Sequence, residues 1–367
     1  MTLFIGLMSG TSMDGIDAAI VDIPSNKLIC GITKEYSKEV MNGLNKLLDG
    51  SDLSLASICQ LNTLIGRDFA QAANEVLHEA ALSARDICAL GSHGQTVCHN
   101  TENSIPYTWQ LGCGHTISSL TGITVIADFR TRDLVNGGQG APFAPLYHQE
   151  LFSKQFANVA LVNIGGIANI TFINASKPTR GWDVGPGNCL MDAWIAKHQG
   201  KSFDANGAWA QQGMVIQPLL DALLADSFIQ LTAPKSIGKE YFSLSWLETH
   251  LKPDYKAVDV QKTLLAFTAK PIADALIDAP KEVKDLFLCG GGTHNLALKQ
   301  MIQELLPEIA VKSVADAGIS PDYLEAMLFA WLAAQTINQQ PLDLGAITGS
   351  KKPAILGAIY PSSGSLK

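Results

Sequence analysis

The chain has 367 residues, enough at roughly 150 per domain for about two domains, and its 47% hydrophobic and 16% charged content is the opposite of a disordered polymer. Lysine and arginine number 26 against 34 aspartates and glutamates, a formal net charge of −8 with no basic block, which argues against nucleic acid as the main partner. The longest apolar run, Met327 to Ala334, falls far short of the roughly 20 residues that cross a bilayer, so no membrane role is expected.

The N-terminus, MTLFIGLMSGTSMDG, has no basic segment ahead of its apolar run and carries an early Asp14, unlike a secretion signal. An apolar run from Leu3 to Met8 enters a loop, Ser9 to Gly15, and a second β-like run follows from Ile16 to Ile23; this reads as strand–turn–strand. The loop has two glycines and the hydroxyls of Ser9, Thr11 and Ser12. Its backbone N–H groups could wrap a polyphosphate, or it is an ordinary tight hairpin. It is not a Walker A loop: there is no GK[ST], and a strand follows where that motif needs a helix. The dinucleotide fingerprint fails for the same reason. Asp14 and Asp17 would repel a phosphate unless magnesium lay between, held directly or through water; solvated loop aspartates are the plainer alternative.

Further along, GSHGQTVCH puts His93 at a strand end after the apolar Cys88 to Leu90, where a lone histidine is more often structural. Arg130 and Arg132 in ADFRTRDL follow the apolar run Ile123 to Ala127. They could bind a carboxylate or phosphate bidentately, or pair with Asp128 and Asp133. The segment NGGQGAPFAP (136–145) reads as a loop at or near a domain boundary.

The second strand–turn–strand is NVALVNIGGIANITFIN, turned by Gly165-Gly166. In GWDVGPGNCLMD, Asp183 stands before a Gly-Pro-Gly turn that could aim its carboxylate into a cleft as a base, or it braces that turn. In DLFLCGGGTHNLALKQMIQELL a strand reaches Gly290–Gly292 and an amphipathic helix follows. The glycines allow close approach of a nucleotide or simply close strand–helix packing. Near the end, Ser320-Pro321 predicts a helix start, and Leu324 to Ala334 is apolar nearly all round, with Glu325 its one charge. Short apolar runs, glycine loops and intervening helices indicate α/β layers, and a glycine hairpin early in each half hints at duplication. Seven scattered cysteines without CxxC or zinc spacing fit reduced thiols in a cytosol.

The ordered motifs GLMSGTSMDGID (6–17), GSHGQTVCH (91–99), ADFRTRD (127–133), GGQGAPF (137–143), NIGGIANIT (163–171), DVGPGN (183–188), PKSIGKEYF (234–242) and CGGGTHN (289–295) together resemble one family. It is the anhydro-N-acetylmuramic acid kinases of bacterial cell-wall recycling, and the resemblance runs from residue 6 to about 360, ending with ITGSKKPAILGAIYP. One departure is Val184, where threonine is expected beside the aspartate.

The resemblance implies an α/β, two-domain actin/hexokinase-type (ASKHA) fold with an interdomain cleft. Residues 1–140 would form one domain with the first phosphate hairpin, and 141–367 the other, with the second hairpin and the adenosine-side loop; whether the C-terminal segment packs back on the first domain stays open. It implies ATP and Mg2+ as cofactors. The substrate would be 1,6-anhydro-N-acetylmuramic acid, opened hydrolytically and phosphorylated on O6 to N-acetylmuramic acid 6-phosphate. By analogy Asp183 is the base, and Glu325 lies near the sugar or O6. Gly10, Thr11, Ser12, Met13, Asp14, Gly15, Ile16, Asp17, Gly165, Gly166, Gly290, Gly291 and Gly292 hold the nucleotide. His93, Arg130 and Asn188 hold the sugar, Arg130 through its lactyl carboxylate, and Asp14 and Asp17 face the metal. A cytoplasmic homodimer is implied as well. A conventional amino-sugar or hexose kinase of the same fold, a non-catalytic sugar or nucleotide sensor, and an ATP-independent glycosidase are the alternatives.

Overall fold

The computed structural model describes residues 1–10, 13, 15–48, 53–101, 103–174, 176–233, 235–238, 241–277 and 283–362. The chain forms two compact units, Met1–Tyr147 with Tyr323–Lys367, and His148–Asp322. The division falls at 147/148 rather than at the expected 140/141, and residues 323–367 group with the first unit rather than the second.

The strands of the first two-fifths of the chain are β1 (Leu3–Met8), β2 (Ile16–Asp22), β3 (Lys27–Lys34), β4 (Ile87–Ser92), β5 (Gln95–Asn100), β6 (Tyr107–Leu111) and β7 (Val125–Ala127). The rest are β8 (Asn158–Ile164), β9 (Ile167–Asn174), β10 (Lys177–Pro186), β11 (Asp285–Cys289), β12 (Ala310–Ser313) and β13 (Ala358–Tyr360).

In the first unit the sheet order is β13-β7-β4-β1-β2-β3. β1, LFIGLM, is buried at every position, as a strand covered on both faces must be. It runs antiparallel to β2 and parallel to β4. One covering helix is Leu55–Glu79, whose Leu61, Ile65, Phe69, Ala72, Ala73 and Val76 recur at helical spacing; Ser54 caps it by accepting from Ser57 N at 3.1 Å.

Another is the helix Leu324–Ile337, buried almost all round as its composition predicts. It packs against β1 and β4. A Cβ on Gly6 would lie 1.8 Å from Ala326 O, and one on Gly91 2.0 Å from Phe329 O, so bare backbone is what lets the helix approach so closely. This contact is the physical reason the C-terminal segment groups with the first unit. The helix begins at Leu324, not at Ser320-Pro321. The ring of Tyr323, the residue just before the helix, lies against Gly31, within 2.6 Å of where a Cβ would stand.

In the second unit the order is β10-β9-β8-β11-β12. Its core gathers Trp194, Phe242, Phe267 and the aliphatic residues of β8 and β11. The helix Ala257–Ile277 is buried along much of its length despite Pro271, and Trp194 Nε1 donates to Ala257 O at 2.8 Å.

Numbered within each unit, both sheets run 3-2-1-4-5: β3-β2-β1-β4-β7 and β10-β9-β8-β11-β12, each with an antiparallel meander followed by parallel strands. The duplication that two glycine hairpins hinted at is therefore a duplication of topology. Two such α/β units are the actin/hexokinase-type architecture.

Candidate active site

The first hairpin joins β1 to β2, with Met8 opposite Asp17. Thr11, Ser12 and Asp14 lie outside the described residues. Ser9, 1% exposed, closes the loop: its Oγ lies 2.8 Å from Gly15 O and 2.9 Å from Gln95 Oε1, and its single proton serves one of them at a time. Gln95 is wholly buried, accepts from Tyr36 OH at 3.0 Å and donates through Nε2 to Gly10 O at 3.2 Å. Gln95, at the root of β5, thus braces the start of the loop at Ser9 and Gly10, while Ser9 reaches across to its far end at Gly15. Met13 takes φ 60°, and its side chain packs on the core. Ile16 is a core residue, so any part it plays in binding nucleotide is through its backbone. Asp17 Oδ1 accepts from Thr33 Oγ1 at 2.7 Å.

Behind the loop stands His93, 5% exposed. Its Nε2 accepts from Arg130 Nε at 3.1 Å and Nη2 at 2.9 Å. That leaves the proton on Nδ1, which donates to Ser9 O at 3.2 Å. Burial and the Arg130 charge push its pKa down to about 3, so the ring is neutral. Both nitrogens are spent on protein atoms: His93 positions Arg130.

Arg130 Nη1 donates to Gly140 O at 2.8 Å and the guanidinium lies 5.6 Å from the centre of the Phe143 ring. Burial lowers its pKa to about 10, while the Glu325 and Asp133 carboxylates hold it charged. Glu325 is exposed, in the first turn of the helix Leu324–Ile337. Asp133, with no exposure, accepts from Gly140 N at 2.7 Å and Thr348 Oγ1 at 2.9 Å, folding the GGQGAPF loop around itself.

In the second unit Asp183 lies on β10. Its N donates to Lys235 O at 2.9 Å, and its Oδ2 accepts from Ser236 Oγ at 3.0 Å and Ile237 N at 2.9 Å. Oδ1 makes no hydrogen bond among the described residues. Burial pushes the carboxyl up to about 6, against those two hydrogen bonds and the Lys235 charge. Lys235 is itself tied down, donating to Phe228 O at 2.9 Å and Ile229 O at 2.8 Å. Strand alternation sends the neighbouring Val184 into the core, so the departure from threonine is a packing matter.

The second hairpin, Gly165-Gly166 between β8 and β9, is held by the segment after Asp183. Gly187 N donates to Gly166 O at 2.8 Å and Asn188 N to Gly165 O at 2.7 Å. The Asn188 amide donates to Ile164 O at 3.1 Å. Gly290 takes φ 75°, where a Cβ would lie 2.3 Å from Asn163 Oδ1, and a Cβ on Gly292 would lie 2.3 Å from Ile164 Cγ2. Asp183, Asn188, the hairpin and the triple-glycine loop therefore form one continuous assembly. Asn188 acts there as a brace for the hairpin.

Sequence reasoning gave no role to Gln95, Ser236 or Ile237. Gln95 stood in the GSHGQTVCH motif and Ser236 and Ile237 in PKSIGKEYF, but their partners lie far away in sequence and no local pattern signals them. Among the described residues no group of three or more His, Cys, Asp or Glu is arranged to hold a metal ion.

The sequence profile of the anhydro-N-acetylmuramic acid kinases matches residues 2–362. The chain belongs to this family. It is 67% identical over 361 residues to an anhydro-N-acetylmuramic acid kinase of Legionella pneumophila, covering 98% of this chain and 99% of that one. It is 44% identical over 367 residues to that of Xylella fastidiosa, covering 98% and 96%. Among solved structures, an activator of 2-hydroxyisocaproyl-CoA dehydratase from Clostridium difficile with bound ADPNP aligns at 11% identity and TM-score 0.48, over 93% of this chain and 99% of that one. The chain is accordingly an enzyme, an ATP-dependent kinase.

Proposed function

We propose that this kinase opens 1,6-anhydro-N-acetylmuramic acid with water and phosphorylates the freed O6, giving N-acetylmuramic acid 6-phosphate and ADP, with Asp183 as the base. One observation carries the role: Asp183 has a pKa raised to about 6, with one carboxylate oxygen pinned and the other making no hydrogen bond among the described residues. Such a group is ionised at neutral pH and still basic enough to take a proton in a transition state.

Asp183 takes the proton of the water whose oxygen bonds to the anomeric carbon. The C1–O6 bond breaks, the electron pair stays on O6, and O6 bonds to the γ-phosphorus as the bond to the ADP oxygen breaks. No separate acid is needed, because phosphorus captures the charge on O6. Gly10 and Gly15 would present backbone to the phosphates, as would Gly165, Gly166 and Gly290–Gly292. Arg130, charged and aimed by His93, would clamp an anionic group of the sugar, its lactyl carboxylate being the natural choice. Glu325 acts through Arg130 by keeping it charged.

Asp17 is a part-exposed hard-oxygen donor at the hairpin mouth, which fits a magnesium ion held mainly by substrate phosphates and water. Magnesium, when bound, supplies charge neutralisation on the phosphoryl oxygens. Asp14, the other carboxylate expected there, lies outside the described residues.

We also assign the protein to the cytoplasm, where ATP is available, in keeping with seven free cysteines, and to a homodimer by family likeness. No helix among the described residues is long and apolar enough to cross a membrane. Sedimentation at micromolar concentration tests the dimer.

The reaction is tested by incubating the protein with ATP, magnesium and the anhydro-sugar in oxygen-18 water, followed by mass spectrometry. Label at the anomeric hydroxyl of a 6-phosphate, read before exchange, is expected. ADP release without ring opening would make this a conventional sugar kinase, and no turnover would point to a sensor.

A further inference from the structure

Tyr36 lies just past β3, outside the glycine motifs, and its buried hydroxyl donates to Gln95 Oε1 at 3.0 Å. The ring is held in place. It stands 6.4 Å from the ring of Phe69, and the next residue, Ser37, donates its N–H to the buried Asp68 Oδ2 at 2.8 Å. Both partners belong to the helix Leu55–Glu79, so a core helix of the first unit aims the hydroxyl. Burial pushes the phenol well above its ordinary pKa, and at physiological pH it always has a proton to give.

Four groups meet at the Gln95 amide. Its Nε2 faces two carbonyls, Gly10 O at 3.2 Å and Thr96 O at 3.3 Å, and its Oε1 faces two hydroxyls, Tyr36 and Ser9. Two acceptors on one side and two donors on the other leave the amide a single orientation.

Counting protons shows what Tyr36 adds. Ser9 Oγ stands between Gln95 Oε1 at 2.9 Å and Gly15 O at 2.8 Å, with one proton for both. With Tyr36 present there are two hydroxyl protons for these two oxygens: Tyr36 serves Gln95, and Ser9 serves Gly15. Without it Ser9 is drawn back toward the buried Gln95, because a buried carbonyl left short costs more than a hydrogen bond gains. The return limb of the hairpin has little slack to find another closure. A Cβ on Gly15 would lie 2.9 Å from Thr33 Cγ2 and 3.0 Å from Lys34 O, at the end of β3.

We propose that Tyr36 is a positioning residue for the nucleotide: by donating to Gln95 it frees the Ser9 proton for Gly15 O and so closes the first hairpin in the form that takes ATP. This rests on the reading of that hairpin as phosphate-binding. The test is steady-state kinetics with ATP, magnesium and the anhydro-sugar, together with calorimetric titration of ADP, on the full chain. Tyr36→Phe, which keeps the ring beside Phe69, should raise the KM for ATP and the Kd for ADP about fivefold, the size of one hydrogen bond, and change the KM for the sugar by less than about twofold. Ser9→Ala should do the same. Added to Ser9→Ala, Tyr36→Phe should weaken the nucleotide by less than about twofold more, since the proton it frees is gone, while the melting temperature still falls further. Effects that multiply in the double variant, or equal losses on both substrates, would reduce Tyr36 to core packing and overturn the proposal. A nucleotide defect in Ser9→Ala with none in Tyr36→Phe would overturn it and leave the phosphate reading standing. No nucleotide defect in either would overturn both.

Discussion

Arg130 spends two of its N–H groups on a single acceptor, Nε2 of His93, at 3.1 and 2.9 Å. The same imidazole donates from Nδ1 to Ser9 O, at the root of the first glycine hairpin. One neutral ring thus fixes both the proposed sugar clamp and the loop that precedes it. His93→Ala should raise the KM for the sugar by about tenfold, with a smaller change in the KM for ATP, as expected for about 1.4 kcal/mol of lost positioning. His93→Gln, which restores an acceptor, should recover part of it. Equal losses on both substrates would mean general loosening of the unit instead.

Burial also keeps His148 neutral: its pKa, like that of His93, is pushed down to about 3. Below about pH 6.5 an unfolded chain protonates these rings and the folded one does not, so the unfolded state binds more protons and stability falls as pH falls toward 3. Each ring contributes a slope of up to about 1.4 kcal/mol per pH unit in that window. His148→Gln keeps a partner for Thr171 Oγ1, which lies 3.0 Å from Nδ1. Urea midpoints measured from pH 7 to 5 should decline less steeply in that variant than in the wild type.

Asp183 shifts the other way. With a folded pKa of about 6, turnover should follow an acid limb near pH 6 and be lost below it as the carboxyl protonates. Ser236→Ala removes a hydrogen bond to the charged form and should move the limb to higher pH. Asp183→Asn should cut turnover by about 10²–10⁴-fold with nucleotide affinity nearly intact. Between the unfolded value of 3.8 and about 6 the folded carboxyl holds the extra proton, so its ionisation costs stability as pH rises through that window. Asp183→Asn should therefore be more stable at pH 7, by at most about 3 kcal/mol, read from denaturant midpoints. A limb near pH 4 would remove the case for Asp183 as a tuned base.

Gly187 is the residue on which the second hairpin rests. A Cβ there would stand 2.1 Å from Gly165 O, a backbone atom that cannot swing aside. Gly187→Ala should cost about 1–3 kcal/mol and displace the Gly165-Gly166 turn. The KM for ATP should rise more than that for the sugar, with a melting temperature lower by a few degrees. Unchanged ATP kinetics in a folded variant would detach this turn from nucleotide binding.

What the sequence made legible was local. The runs Leu3 to Met8 and Ile16 to Ile23, or those ending at Ile164 and resuming at Ile167, announce strands because short apolar runs and glycine turns meet within a few residues. The helix from Leu324 was visible in its all-round apolarity, but its start was not: the Ser320-Pro321 signal pointed four residues too early, and the contact of Tyr323 with Gly31 at the true start is between residues far apart in sequence. For the site, Asp183 and Arg130 stood out as charges beside glycine turns and strand ends. His93 and Asn188 were singled out to hold the sugar, and in the structure their polar side-chain atoms engage protein groups: a histidine or asparagine looks the same in sequence whether its polar atoms face a ligand or a backbone carbonyl. Gln95 and Ser236 escaped notice because what defines them is where their distant partners end up.

The partition of the first unit along the chain has a consequence for its manufacture. β1, β2, β3, β4 and β7 are all translated before the second unit, yet the helix that lies on Gly6 and Gly91 and the strand that completes the sheet edge come from residues 324–360. The second unit, contiguous from His148 to Asp322, is complete before residues 324–360 are made. A nascent chain stopped at Asp322 should accordingly be cut by protease mainly within its first 147 residues. The strands made earlier in this unit are covered only later, and residues 324–360 work as a clasp that closes what residues 3–127 began.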